Sequence, residues 1–172
     1  QATDLVLLLG FPATSIRRTV TDLRRRASLV DATIALDGSL HRCLVDKGEL
    51  DRFALTHLGA KGIARLQRVL ELVETASESP METRLRLVLL LAGLPRPAAQ
   101  VSIVEGGLFI ARPDLLYESE RLAIEYDGGT HRDSVEEANG RQKRNINAGY
   151  RLLRHTGGAV HRSPAGIVAV NM

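Results

Sequence analysis

The stretch RPDLLYESERLAIEYDG, residues 112 to 128, carries five carboxylates: Asp114, Glu118, Glu120, Glu125 and Asp127. Asp114, Glu125 and Asp127 sit beside apolar residues rather than in a solvated charge run. Glu125 interrupts LAIEY at a place where alternation otherwise builds a buried strand. Glu125 and Asp127 are two apart on that predicted strand, so they share one face while Tyr126 takes the other. A turn near residues 117 to 119 folds the preceding run back antiparallel and carries Asp114 toward Glu125. Three carboxylates at the end of a sheet repel one another and cost desolvation energy unless a cation sits among them. An oxygen-only ligand set of this kind suits Mg²⁺ or Mn²⁺ rather than zinc. A metal so held activates a water and neutralises charge developing on a phosphate. Plainer roles exist for the same residues. Asp114 can be a strand-end aspartate after proline, Asp127 can start a turn with Gly128, and Glu118 and Glu120 read as a solvated turn.

The elements that must position these groups follow from spacing. Apolar residues recur at helical intervals from Ile16 through Val20 and Leu23, and again from Leu29 to Leu44, with Ser15 as the expected N-cap of the first helix. Ile63, Leu66, Val69, Leu70 and Val73 form one stripe of a further helix. A compositional shift at SESP separates a helical segment, residues 1 to 76, from a second domain, residues 77 to 172. There, Ser79 and Pro80 open a helix that closes at Gly93. Two β-rich runs flank Glu105-Gly106-Gly107, a hairpin signal. RLAIEYDGG is a third strand, residues 134 to 148 a polar, basic helix, YRLLRHT a fourth strand, and SPAGIVAV a last helix. Residues 80 to 156 therefore read α-β-β-β-α-β, an α/β class with a mixed sheet flanked by helices.

Composition narrows the partners. Hydrophobic content of 44% and charged content of 25% are ordinary for a globular chain, and no apolar run reaches the length of a membrane helix. Lone Cys43 makes no internal disulfide, which fits a reducing cytoplasm. A net charge of +3 permits a nucleic-acid partner without demanding one. Trp is absent and Tyr and Phe are scarce, so a base-stacking platform for single strands is poorly supported.

Pro113-Asp114, ten residues, then Glu125-Tyr126-Asp127 resembles the PD-(D/E)XK nuclease signature, whose core has the order α-β-β-β-α-β. More narrowly, SPMETRLRLVLLLAGLPRP, IEYDGGTHR and RQKRNINAGYRLLRHT look like a bacterial group, common in actinobacteria, that is similar to the very-short-patch repair endonucleases. The likeness covers about residues 77 to 163. GFPATSIRRTVTDLRRR looks like the helical segment that precedes the nuclease domain in such proteins, behind a winged-helix domain of the AbiEi antitoxin type. On this likeness the chain is expected to be a fragment or a shortened relative.

The resemblance implies a metal-dependent endonuclease acting on DNA in repair, defence or mobile-element biology. It implies Asp114 and Glu125 as ligands of Mg²⁺ or Mn²⁺, with Asp127 beside them, and Glu82 as the acidic residue of the first core helix. Against the last stands Ser79-Pro80-Met81-Glu82, which also fits a capping box. Asp127 occupies the place of the signature's lysine, a departure that leaves His131 or Lys143 to supply the proton donor or positive charge. Arg132, Arg141 and Arg144 stand where a phosphate backbone needs countercharge, although a basic helix face is most often simply solvated, as is the cluster Arg17, Arg18, Arg24, Arg25 and Arg26. The alternative is a catalytically inactive, antitoxin-like or DNA-binding protein on the same fold, or a module whose helical first part docks a protein. Carboxylates facing an open cleft favour catalysis. Carboxylates paired with arginine argue against it.

Overall fold

The structure, a computed structural model, describes residues 5–8, 11–14, 18, 22, 27–128 and 149–171. The helix expected over 134 to 148, together with His131, Arg132, Arg141, Lys143 and Arg144, lies outside the described residues. So does the helix expected after Ser15, apart from Arg18 and Asp22, which form an ion pair of 2.9 Å at i,i+4.

The chain divides into two compact units, Gln1–Pro80 and Met81–Met172. The first described elements of the first unit are two short antiparallel strands, β1 (Leu5–Leu8) and β2 (Phe11–Thr14). The helical reading of residues 1 to 76 does not extend to these strands: Leu5–Leu8 is an apolar run too short to carry a period, and Phe11–Thr14 holds a proline that suits the edge of a two-stranded pair. Three helices follow, α1 (Leu29–His41), α2 (Lys47–Thr56) and α3 (Ile63–Leu72). Ser28 and Asp46 cap the first two, each side chain accepting the N–H three residues on. The stripe Ile63, Leu66, Val69, Leu70 and Val73 is buried against Leu36, Leu40 and Leu50, the core of this unit. Asp37 is buried on α1 and accepts the backbone N–H of Glu74 at 2.8 Å, fixing the chain leaving α3.

The second unit is a mixed sheet with helices. Helix α4 (Pro80–Leu91) ends where Gly93 takes φ +87°, a left-handed conformation that costs glycine little. Leu94 N–H donates to Leu89 C=O and Gly93 N–H to Leu90 C=O, the bond pair of a Schellman cap. The short strand β3 (Ala98–Ala99) leads to a separate hairpin of β4 (Ile103–Glu105) and β5 (Leu108–Ala111), turned by Gly106 and Gly107, both with positive φ. The main sheet runs in the order β3, β6 (Leu115–Tyr117), β7 (Leu122–Asp127), β8 (Arg151–Thr156). Its first two pairings are antiparallel and β7 with β8 is parallel.

The run LFIARPDLLY is therefore two strands rather than one. Pro113 lacks an N–H and cannot continue a ladder, so the chain leaves the hairpin there and enters the main sheet at Leu115. Helices α5 (Gly157–Arg162) and α6 (Pro164–Asn171) close the unit. Leu115, Tyr117, Leu122 and Ile124 pack with Leu85 and Leu89 of α4, Val160 of α5 and Ile167 of α6 on one face of the sheet. Leu116 and Ala123 pack with Ile103 on the other. No helix among the described residues is long and apolar enough to cross a membrane.

Candidate active site

The alternation along β7 decides where its acids go. Leu122, Ile124 and Tyr126 belong to the helix-covered core, so Ala123, Glu125 and Asp127 share the opposite face. Along β6, Leu116 lies on that second face, and Asp114, two residues earlier, follows the same parity. The register Leu115↔Ile124 sets Asp114 against Glu125. Asp114 thus reaches the neighbourhood of Glu125 through a turn at residues 118 to 121 and an antiparallel pair.

Asp114 has two contacts that fix its carboxylate. Its Oδ2 accepts the backbone N–H of Tyr126 at 2.7 Å. Strand β6 begins only at Leu115, so this side chain supplies the acceptor the strand's backbone no longer offers. Its Oδ1 accepts from the Gln100 side-chain amide at 3.1 Å, and the same nitrogen donates to Glu82 Oε2 at 3.1 Å. Gln100 N–H also donates to Asp114 C=O at 3.0 Å, prolonging the β3–β6 pairing by one step. Glu82, buried in the first turn of α4, is in this way joined to Asp114 through one amide group. Arg86 lies one turn further along α4 and is fully buried, so one helix face carries both an acid and a guanidinium.

The electrostatics match this crowding. Burial, first, and then the charges of Glu82 and Glu125 push the Asp114 carboxyl up to about 6, against the opposing pull of the Tyr126 and Gln100 hydrogen bonds. A carboxyl in that range is half protonated near pH 6 and binds a cation in competition with a proton. Glu125 is half-buried and its Oε2 accepts from Arg154 Nε at 3.0 Å. Glu125 and Arg154 are partners in the parallel β7–β8 register, which places them side by side on one face. Asp127, at the end of β7, is exposed. Burial lowers the pKa of His155, the register partner of Tyr126.

Glu82 and Glu125 both bear on Asp114, then, while Asp127 stands further out. Among the described residues no group of three or more His, Cys, Asp or Glu is arranged to hold a metal ion. The expected trio Asp114, Glu125 and Asp127 is accordingly not a closed ligand cage. The donor set nonetheless fits a hard cation, because Mg²⁺ retains several waters and commonly takes only one or two carboxylates from the protein.

Two residues of the site carried no mark in the sequence. Gln100 reads as a polar residue beside a strand, and its left-handed backbone, φ +55°, is invisible there. Arg154 meets Glu125 only through a parallel pairing that spans 29 residues.

No family model matches the chain, and no solved structure matches it. Two uncharacterized proteins of Mycobacterium tuberculosis, one from the Oshkosh strain and one from strain ATCC 25618, are each 30% identical to it over 118 residues. The match takes in 69% of this chain and 44% of each relative, so the chain spans less than half the length of the curated relatives it matches. Neither name carries an activity.

Proposed function

We propose that the second unit is a metal-dependent phosphodiester hydrolase of the PD-(D/E)XK nuclease type, acting on DNA. The observation that carries this reading is the state of Asp114: a carboxyl raised to about 6 by burial and by two neighbouring acids, at the end of a sheet. An acid pushed up by burial and by neighbouring acids is a usual mark of a cation or proton site. Asp114 and Glu125 would hold Mg²⁺ or Mn²⁺, with Glu82 reaching the same group through Gln100. The ion would neutralise charge on the phosphate and lower the pKa of a bound water. Around it the chain's own groups have separate tasks. Tyr126 N–H and Gln100 fix both oxygens of Asp114. Arg154 balances Glu125 until a cation arrives. His131 or Lys143 would serve the protonation that Asp127, standing in place of a lysine, leaves unfilled, and Arg132, Arg141 and Arg144 would hold the phosphate backbone.

A second reading is favoured by a specific contact. The Glu125–Arg154 ion pair engages one expected ligand with a fixed internal cation, which suits a DNA-binding or antitoxin-like protein that uses the fold without cleaving. Incubating the protein with supercoiled plasmid and with mismatched duplex, in Mg²⁺ and in EDTA, separates the two. Metal-dependent nicking that disappears in Asp114→Ala and Glu125→Ala supports hydrolysis. Retarded DNA that stays intact at every metal concentration rejects it in favour of the second reading.

A further inference from the structure

We infer that Gln100 is the positioning residue of the acidic site, holding Glu82 and Asp114 at a spacing that a divalent cation can use; the inference rests on the metal-site reading above. Three observations converge on it. First, a primary amide nitrogen carries two hydrogens, and here one goes to Glu82 and the other to Asp114, each at 3.1 Å. Two carboxylate oxygens are thereby kept within two hydrogen-bond lengths of each other by a neutral group. A lysine in that place would satisfy both acids and cancel the charge a metal needs. A carboxylate there would add a third repulsion. The amide orders the pair without adding a charge of its own.

Second, Gln100 is tied to its target by the backbone as well, since its N–H donates to Asp114 C=O at 3.0 Å. The side chain therefore starts from a point fixed against the very residue it orients. Third, the backbone of Gln100 is left-handed, φ +55°, a conformation that a Cβ-bearing residue other than Asn or Asp rarely takes and that glycine takes freely. A position shaped only by folding would favour glycine or asparagine. Glutamine takes that conformation here, and both acceptors of its side-chain amide are acids of the candidate site. The role is distinct from catalysis, because Gln100 acts through Glu82 and Asp114 rather than on a substrate.

This makes a prediction that separates folding from function. Gln100→Gly removes the amide and relieves the backbone at once, so its thermal midpoint should equal or exceed that of the wild type. Its affinity for Mn²⁺, read from the electron paramagnetic resonance of the free ion, should nevertheless fall about 10- to 100-fold, the usual consequence of losing a group that orients metal ligands. Gln100→Met keeps length and packing but has no donor, and should lose affinity to a similar degree. Because Gln100 works through Glu82, the losses in Gln100→Met and Glu82→Gln should not add in the double variant. Wild-type binding that is unchanged in both Gln100 variants overturns the positioning role and leaves the metal site standing, as does affinity that merely tracks thermal stability or losses that add in full. A wild-type protein that takes up no Mn²⁺ overturns the metal site, and the positioning role with it.

Discussion

Two aspartates, one in each unit, do the same local job in different surroundings. Asp37 on α1 accepts the N–H of Glu74 at 2.8 Å, and Asp114 before β6 accepts the N–H of Tyr126 at 2.7 Å. Each gives a backbone donor the partner that regular structure does not supply, Asp37 across 37 residues of chain and Asp114 across 12. At Asp114 a second demand is laid on the first. Glu82 and Glu125 bring their charges to bear on it, and burial and repulsion together raise it to about 6. A buried acid with a backbone partner is a structural device. A half-buried acid also pressed by two other acids is held in a costlier state, and that excess is the basis of the proposed cation site.

The sharpest way to break this comparison is to remove the two side chains and read function. Asp114→Ala and Glu125→Ala should lower metal-dependent cleavage at least about a hundredfold, as expected when a group that stabilises transition-state charge is lost, while Asp37→Ala should leave the activity per folded molecule unchanged. Comparable losses in Asp37→Ala, measured on protein shown to be folded, would erase the distinction. Stability gives the converse. Asp37→Ala leaves the Glu74 N–H without its acceptor and should cost about 2–3 kcal/mol by urea denaturation.

Asp114→Asn should behave in the opposite way. The carboxyl is raised above its ordinary value, so its contribution to folding is complete below about pH 4 and is lost as pH rises through about 6. An asparagine does not titrate. Relative to wild type, Asp114→Asn should therefore gain stability between pH 4 and pH 7, by about 1–2 kcal/mol once solvent screening of a half-buried group is allowed for, and stay level above pH 7. A pH-independent difference would show that the crowding at Asp114 is relieved in solution. The smallest effect is expected at Arg154. Its pair with Glu125 is partly exposed, so Arg154→Met should change stability by less than about 1 kcal/mol. It should also tighten Mn²⁺ binding, because a competing cation has gone; weaker binding would mean that Arg154 helps to assemble the site.

What was legible in the sequence tracks how local its physics is. The α3 stripe from Ile63 to Val73 and the Gly106-Gly107 hairpin depend on periods and turn chemistry within a few residues, and both were readable. The approach of Asp114 to Glu125 was readable too, since one short turn and the period of a strand determine it. Strands β1 and β2 were not, because four-residue runs, one apolar and one broken by Pro12, are too short for a period to show. The split of LFIARPDLLY hinged on whether Pro113 bends a strand or ends it, and that depends on the neighbouring sheet rather than on the proline. Gln100 and Arg154 were hidden for a deeper reason. Each becomes part of the site only through register with a strand distant in sequence, and Gln100 also through a backbone conformation its residue type does not announce.

The central claim, that the acids around Asp114 form a cation site, is tested most directly by isothermal titration of Mg²⁺ and Mn²⁺ into the wild type, Asp114→Ala, Glu125→Ala and Asp37→Ala at pH 7.5, repeated at pH 5. The account predicts binding to the wild type and to Asp37→Ala, loss in the other two variants, and a fall in affinity at pH 5 as a proton takes the place of the ion on Asp114. No heat of binding to the wild type at pH 7.5, with or without DNA, or binding that survives in both Asp114→Ala and Glu125→Ala, would contradict it.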